Sequence, residues 1–277
     1  MKGASRILSA LPLVLSAALA AAAEYSVEAV RYGTIPQFPL SGLVVGAPES
    51  EKLDIPLVFW IIRGGGRNIL LDAGFHRAGW KEKFGVADFL RPDEAVRQAG
   101  VDPAAITDIV LSHLHWDHAG GVDLFPQAVV WLQKAEYAYY TAEAWQPGGQ
   151  HGGIDPEDLV VLLRRNTQGK LRLIDGDDRE ILPGIRVFTG ARHTFASQYL
   201  RIDGDPPVVL ASDNCYLYRN LETRTPIPTF SPADREDNLK ALDRMIGLAG
   251  ARERVVPGHD PLIFSRFPSK GRVARIR

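Results

Sequence analysis

The chain has 277 residues, of which 45% are hydrophobic and 23% are charged, with 26 Gly and 19 Pro. This is the composition of a globular domain, and it excludes a disordered or collagen-like chain. Because 32 Lys and Arg nearly balance 33 Asp and Glu, the charge pattern gives no basis for binding nucleic acid. The single cysteine, Cys215, excludes an internal disulfide framework and a cysteine-based zinc cluster.

The first 23 residues have the pattern of a secretory signal peptide. Two basic residues precede the mostly apolar run Ile7–Ala20, and Ala21–Ala23 supply the small residues of a cleavage site. The run is short for a membrane span, and the polar Glu24 follows at once. We therefore predict cleavage near Ala23, an exported protein located in the periplasm or secreted, and a single domain over residues 24–277 without a membrane span.

In the first half of that domain, short apolar runs bounded by Gly or Pro predict strands. The glycines Gly64–Gly66 predict a hairpin between the second and third strands. The predicted elements are strands Glu28–Tyr32, Leu57–Arg63 and Asn68–Asp72, helix Pro92–Gln98, strands Ile106–Leu111 and Val129–Leu132, and helix Lys134–Ala144.

The second half begins with strands and ends with an amphipathic helix that starts at Ser231 and stops at Gly250. A last strand then leads into Pro257–Asp260. The predicted strands of this half are Leu171–Ile174, Ile185–Thr189, Gln198–Ile202, Val208–Ala211 and Arg254–Val256. Since strands first meander and later alternate with helices, we predict two sheets with helices outside.

The most informative segment is Ser112–His118, which reads Ser-His-Leu-His-Trp-Asp-His. Alternate histidines at the end of a strand point to the same side, so His113 and His115 can bind one ion. After the chain turns, Asp117 and His118 are placed to reach a second ion. The alternative, a polar loop at the start of a helix, explains this spacing poorly.

Two ions need more ligands than one loop supplies, and three further candidates each follow a predicted strand: His193, Asp213 and His259. Ligands at successive strand ends converge on one edge of a sheet sandwich. Asp72, also at a strand end, is expected to support a ligand by hydrogen bonding. The remaining histidines, His76 and His151, are interpreted as ordinary loop residues.

These residues resemble the metallo-β-lactamase superfamily, from Leu70–Gly74 through the His-rich segment to Pro257–Asp260. The resemblance implies an αββα four-layer sandwich of the α/β class with a dinuclear site between the sheet edges. By this resemblance His113, His115 and His193 bind one metal, Asp117, His118 and His259 bind the other, and Asp213 bridges both. The expected metals are two Zn²⁺, although Co, Mn or Fe suit the same ligands.

Within the superfamily the sequence is most similar to N-acyl homoserine lactonases. Asp213 stands at the bridging position, and Tyr216 matches the tyrosine that contacts the lactone carbonyl in those enzymes. The resemblance implies a quorum-quenching hydrolase that opens a small-molecule lactone by a metal-bridging hydroxide, with Asp117 moving a proton to the departing alkoxide. One departure lies at Arg192–Ser197, where lactonases usually read Gly-His-Thr/Ser-Pro-Gly-His; here the first of those histidines is His193.

Other functions remain open from the sequence. An exported ester, phosphotriester or β-lactam hydrolase or a thioesterase would use the same metal site, and a non-catalytic metal-binding module would share the fold. A glyoxalase II fits less well, because it ordinarily carries a glutathione-binding helical extension after the metal domain.

Three further features have structural interpretations. Cys215, near Asp213, is interpreted as a buried, inert thiol rather than a ligand. The segment Tyr137–Gly153 carries Tyr137, Tyr139, Tyr140 and Trp145, and it is either an aromatic lid over an acyl chain or an ordinary helix and loop. The basic C-terminal residues predict a solvated tail rather than a contact with an anionic surface; they are Arg266, Lys270, Arg272, Arg275 and Arg277.

Overall fold

The computed structural model describes residues 24–277. The predicted signal peptide, residues 1–23, lies outside the described residues. Among residues 24–277, no helix combines the length and the apolar character needed to cross a lipid bilayer.

The described chain alternates between strands and short helices, with isolated 3₁₀ turns between them. The strands are β1 (Ser26–Pro39), β2 (Lys52–Gly64), β3 (Arg67–Leu71), β4 (Asp108–Val110), β5 (Val129–Gln133), β6 (Leu171–Ile174), β7 (Arg179–Leu182), β8 (Ile185–Phe188), β9 (Tyr199–Ile202), β10 (Val208–Ser212), β11 (Val255–Pro257), β12 (Ser269–Lys270) and β13 (Val273–Arg275). The α-helices are α1 (Ala78–Lys83), α2 (Pro92–Gln98), α3 (Trp116–Ala119), α4 (Lys134–Tyr140), α5 (Pro156–Thr167), α6 (Tyr218–Thr223), α7 (Arg235–Ala249) and α8 (Ile263–Arg266).

The strands form two sheets. The first has eight strands in the order β12-β13-β1-β2-β3-β4-β5-β6, and the second has five in the order β11-β10-β9-β8-β7. In the first sheet β1, β2 and β3 pair antiparallel, whereas β3 to β6 run parallel. The parallel strands end on the same side, which places the segments that follow them at one edge.

Each face of the large sheet packs on an apolar core. Along β2, Phe59 and Ile61 face the core that α2 and α5 cover, while Trp60 and Ile62 face the second sheet. This alternation follows from the two-residue period of a strand. Because α7 packs on the far side of the second sheet through Leu242 and its neighbours, the layers run helix, sheet, sheet, helix. The predicted αββα sandwich is confirmed.

The predicted elements are found, but the first two strands are much longer than predicted: β1 continues to Pro39 and β2 begins at Lys52. A predicted helix also differs in length. The helix expected over Lys134–Ala144 ends at Tyr140, and a 3₁₀ turn at Glu143–Trp145 follows. Several elements, including α1, α5, α6 and β7, were not predicted from the sequence. The start of α5 does carry two signals: Pro156 occupies its first turn, and the Asp155 carboxylate accepts a hydrogen bond from Glu157 N.

The prediction that the basic C-terminal residues form a solvated tail was wrong. The strand at Val255–Pro257 is followed by β12 and β13, and β13 pairs antiparallel with β1, with Ala274 opposite Ala29. Ala274 is fully buried while its neighbour Arg275 is exposed. This strand was not predicted because a three-residue strand has a single inward-facing position, and basic residues surround that position here.

Candidate metal centre

The His-rich segment crosses the carboxyl end of the large sheet. Two residues, Leu111 and Ser112, separate Val110, the last of β4, from His113. His115 is the residue before α3, so the helix turns Asp117 and His118 to another side of the site. The other three predicted ligands follow strands of the second sheet: His193 comes after β8, Asp213 directly after β10, and His259 after β11.

A first cluster joins His113, His115, His193 and Asp213. His115 Nδ1 lies 3.0 Å from both His113 Nε2 and His193 Nε2. Asp213 Oδ2 lies 3.5 Å from His193 Nε2 and 3.8 Å from His113 Nε2. Three imidazole nitrogens and one carboxylate oxygen therefore face one point.

A second cluster joins Asp117, His118 and His259, and it shares the same aspartate. Asp213 Oδ1 lies 3.2 Å from His118 Nε2 and 3.0 Å from His259 Nε2. Asp117 Oδ2 lies 3.4 Å from His118 Nε2 and 3.8 Å from His259 Nε2. The two oxygens of Asp213 thus face two different clusters.

These donor atoms fit two divalent ions. Four ligands placed tetrahedrally 2.0–2.1 Å from an ion are about 3.4 Å from one another, which is close to the spacing in both clusters. His118 Nε2 and Asp213 Oδ1 are buried without a hydrogen-bond partner within the described chain. Buried polar atoms are rarely left unpaired, so their convergence is the arrangement expected of cation ligands.

Burial sets the charge state of the imidazoles in the first cluster. It holds the pKa of His113 well below the ordinary value and lowers the pKa of His193 to about 3. Burial alone would raise the pKa of Asp213, but His118 and His259 hold it well below its usual range. Neutral imidazoles and an ionised carboxylate are the forms that bind metals.

Buried hydrogen bonds orient the ligand rings. Asp72 contacts His118 as predicted: its Oδ2 lies 2.8 Å from His118 Nδ1, and it also accepts from Ser112 and Ser212. His259 Nδ1 lies 2.8 Å from the carbonyl oxygen of Pro56. Each contact occupies Nδ1 and leaves Nε2 directed at the cluster, an arrangement typical of metal-binding histidines.

Two supporting residues were not identified from the sequence. Glu136 in α4 is fully buried and hydrogen-bonds to the segments that carry His115 and His193. Gly153 has φ +78°, and a Cβ there would lie 2.8 Å from His115 Cδ2. A positive φ and a close approach both require glycine. The only sequence signal for Gly153 is its place in a Gly-rich loop.

The clusters form the floor of a cavity of about 270 Å³. Apolar side chains make its walls, while its floor is polar and includes Tyr216. The lining residues are Ile35, Phe38, Leu43, Ile55, Phe84, His115, Trp116, Asp117, Gly152, Gly153, Asp213, Tyr216 and His259. An apolar pocket with a few converging polar groups is typical of a small-molecule site.

Tyr216 lies beside histidines of both clusters. Its ring centroid is 5.4 Å from that of His193 and 5.7 Å from that of His259. Burial, reinforced by the carboxylates of Asp213 and Asp117, raises the pKa of Tyr216 well above its ordinary value. The hydroxyl therefore stays protonated and able to donate a hydrogen bond.

The aromatic segment Tyr137–Gly153 is a helix and a loop rather than a lid. Tyr139 stacks on Phe195 at 4.1 Å, and Trp145 stacks on His151 at 4.4 Å. Of this segment, Gly152 and Gly153 line the cavity. The aromatic walls come instead from other segments and include Trp116.

The residues expected outside the site are found outside it. His76 pairs with Asp123, and His151 Nδ1 contacts the carbonyl oxygen of Ala144. Cys215 is fully buried in the core between the sheets, and burial raises the pKa of its thiol. The described clusters do not include it.

Comparison with known proteins agrees with this geometry. The family model described as the Metallo-beta-lactamase superfamily matches residues 57–259. The chain is 27% identical over 235 residues to the N-acyl homoserine lactonase AttM of Rhizobium johnstonii, an alignment that covers 77% of this chain and 85% of that protein.

Two solved structures share the fold. One, a quorum-quenching N-acyl homoserine lactone lactonase, superposes with a TM-score of 0.70 at 22% identity, over 85% of this chain and 92% of that one. The other is AidC, described as a dizinc quorum-quenching lactonase, with a TM-score of 0.64 at 17% identity, over 86% and 88% of the two chains.

Proposed function

Because this chain belongs to the metallo-β-lactamase superfamily, whose model matches most of its length, we propose that it is a metal-dependent hydrolase that opens the ring of N-acyl homoserine lactones. Such an activity degrades quorum-sensing signals. The observation that supports it most directly is the pair of ligand clusters sharing Asp213 at the floor of an apolar cavity. The relatedness to AttM points to the same substrate.

In this proposal His113, His115 and His193 hold one metal ion, and Asp117, His118 and His259 hold the second. Asp213 would be shared by the two ions, since each of its carboxylate oxygens faces a different cluster. Imidazole and carboxylate ligands suit Zn²⁺, and Co, Mn or Fe would also be accepted. The dizinc description of AidC favours zinc.

Metal ions bound here would lower the pKa of water towards about 7 and polarise the ester carbonyl. The chain's own residues supply the rest of the chemistry. Tyr216 donates a hydrogen bond to the carbonyl oxygen as negative charge develops there. Water adds to the carbonyl carbon as the ring carbon–oxygen bond breaks, and Asp117, which lines the cavity, takes the proton that this water loses and passes it to the departing ring oxygen.

The cavity matches a neutral substrate with an apolar chain. Its walls include Phe38, Phe84 and Trp116, and no Lys or Arg is found among its described lining residues. A β-lactam carries a carboxylate that a protein ordinarily binds with a cationic side chain. The lining therefore favours the lactone over the β-lactam alternative.

We also propose that residues 1–23 are a cleaved signal peptide and that residues 24–277 form one domain acting in the periplasm or outside the cell. The sequence pattern supports the first statement. The family match, which runs from β2 to the second cluster, supports a single domain, and its location follows only from the proposed signal peptide.

The test is proton release by the zinc-loaded protein on short- and long-chain N-acyl homoserine lactones, since ring opening produces a carboxylic acid. A β-lactam and a phosphotriester are assayed beside them. We expect turnover of the lactones in the wild type and none in Asp213→Ala. A protein that retains two metals but turns over another substrate and no lactone would refute the proposed substrate.

A further inference from the structure

Glu136 is a buried carboxylate that the proposed reaction does not use. Its side chain belongs to α4 and is fully buried. Oε1 accepts hydrogen bonds from Leu114 N at 3.2 Å and from Thr194 Oγ1 at 2.7 Å. Oε2 accepts a third from Ala196 N at 2.6 Å. A buried carboxylate with three donors is fully engaged and holds its partners in place.

The partners of Glu136 are neighbours of the first cluster. Leu114 lies between His113 and His115, and Thr194 directly follows His193. Glu136 thus joins the two segments that supply all three imidazoles of that cluster. The segments are far apart in the sequence, so their alignment depends on tertiary contacts of this kind.

We propose that Glu136 is a positioning residue for the first metal ion: it keeps His115 and His193 at the 3.0 Å separation seen between their facing nitrogens. This inference rests on the proposed function, since it presumes a metal in that cluster. The second cluster is held differently, through Asp72 and the Pro56 carbonyl. Loss of Glu136 should therefore weaken the binding of the first ion and leave the binding of the second unchanged.

The scaffold does not depend on Glu136 alone. Gln198 N donates to Ser112 O at 2.8 Å, and Gln198 Nε2 donates to Leu111 O at 2.7 Å. These bonds join the same two segments closer to the strands. The fold is therefore expected to survive the loss of Glu136, with loosening confined to the ligand-bearing turns.

Three variants separate the contributions. Glu136→Ala removes every hydrogen bond, whereas Glu136→Gln keeps one oxygen acceptor and places an amide NH₂ near either Ala196 N or Leu114 N. Thr194→Val removes a single donor and leaves the carboxylate in place. The matched control is Asp108→Asn, a buried carboxylate in β4 that accepts from Arg67 and Trp131 and lies outside both clusters.

The measurement is zinc retained by the full protein during titration with a chelator, with metal content determined by mass spectrometry. Outer contacts of metal ligands typically contribute 10- to 100-fold to affinity. We expect Glu136→Ala to lose the zinc of the first cluster at a chelator concentration about 10-fold lower than the wild type does. The zinc of the second cluster should be lost at the same chelator concentration in both proteins. Glu136→Gln and Thr194→Val should fall between.

A second readout distinguishes positioning from general destabilisation. If Glu136 positions the first ion, excess zinc restores kcat of Glu136→Ala towards the wild-type value. The dependence of its zinc content on chelator concentration should then shift towards that of His193→Ala, and not towards that of His259→Ala. Equal zinc loss in Asp108→Asn, or two tightly retained ions in Glu136→Ala, would overturn the inference. A wild type that binds no zinc would instead overturn the proposed function.

Discussion

Asp213 is the residue on which both clusters depend, because its two carboxylate oxygens face different imidazoles. It is buried directly after β10. Such a residue is more sensitive to substitution than any single histidine, since its loss removes one ligand from each cluster. Tyr216, which contacts the substrate carbonyl in the proposed reaction, has a narrower role.

Replacing Tyr216 with Phe tests that role without touching a metal ligand. Loss of one donor to a developing oxyanion typically lowers kcat about 100-fold or more. We expect a loss of this size in kcat for lactones, with unchanged zinc content, and a smaller effect than that of Asp213→Ala. Tyr137→Phe, whose hydroxyl lies outside the cavity lining, should retain wild-type kcat. An unchanged kcat in Tyr216→Phe would remove this residue from the mechanism.

At the scale of elements, the ends of strands and the turns after them build the site. The sequence could predict which residues converge in the two clusters because each is a chemically distinctive residue a few positions after an apolar run. It could not reveal the supports that arrive from distant segments, such as the Pro56 carbonyl, which is 203 positions from His259. A backbone carbonyl carries no sequence signal, and a glycine such as Gly153 is informative only once its neighbour in space is known.

Gly153 gives a sharp test of one such support. Alanine at this position would bring a Cβ to within 2.8 Å of His115 Cδ2, so the imidazole must move. We expect about 10-fold weaker zinc retention and a comparable loss of activity. Gly148→Ala is the control, because Gly148 has a similar φ of +85° in the same loop but no atom within 4 Å of its Cβ position. Equal effects in both variants would attribute the loss to backbone strain alone.

The strand β13 yields a prediction about stability. Ala274 is fully buried, so Ala274→Asp would place a charge in the core and should cost several kcal/mol of unfolding free energy. Arg275→Asp, on the exposed side of the same strand, should change it by about 0.5 kcal/mol or less. Chemical denaturation followed by circular dichroism measures both. Similar stabilities would restore the interpretation of this segment as a solvated tail.

At the scale of the whole molecule, the two sheets meet at an edge where buried imidazoles and carboxylates replace the apolar core. The cores on either side are closely packed, whereas the clusters contain polar atoms without partners. Without metal, this edge therefore contributes unfavourably to folding. The stability of the entire sandwich should accordingly depend on metal.

Removal of metal tests this dependence. A ligand that binds only the folded state at 100 times its Kd stabilises that state by about 2.7 kcal/mol. We expect the melting temperature to fall by several degrees in excess chelator and to recover when zinc is restored. Asp213→Ala should show a much smaller difference between the two conditions. A melting temperature that is independent of zinc in the wild type would argue against tightly bound ions.

The pairing of β1 with both β2 and β13 has a consequence for how the protein is made. β1 is 14 residues long, and β13 pairs with its part Glu28–Val30, so this stretch of the edge stays open until residues 273–275 have been synthesised. An open strand edge is a template for pairing with other chains. A nascent chain that stalls before β13 should therefore aggregate rather than fold, and the large sheet can close only after nearly the whole chain has left the ribosome.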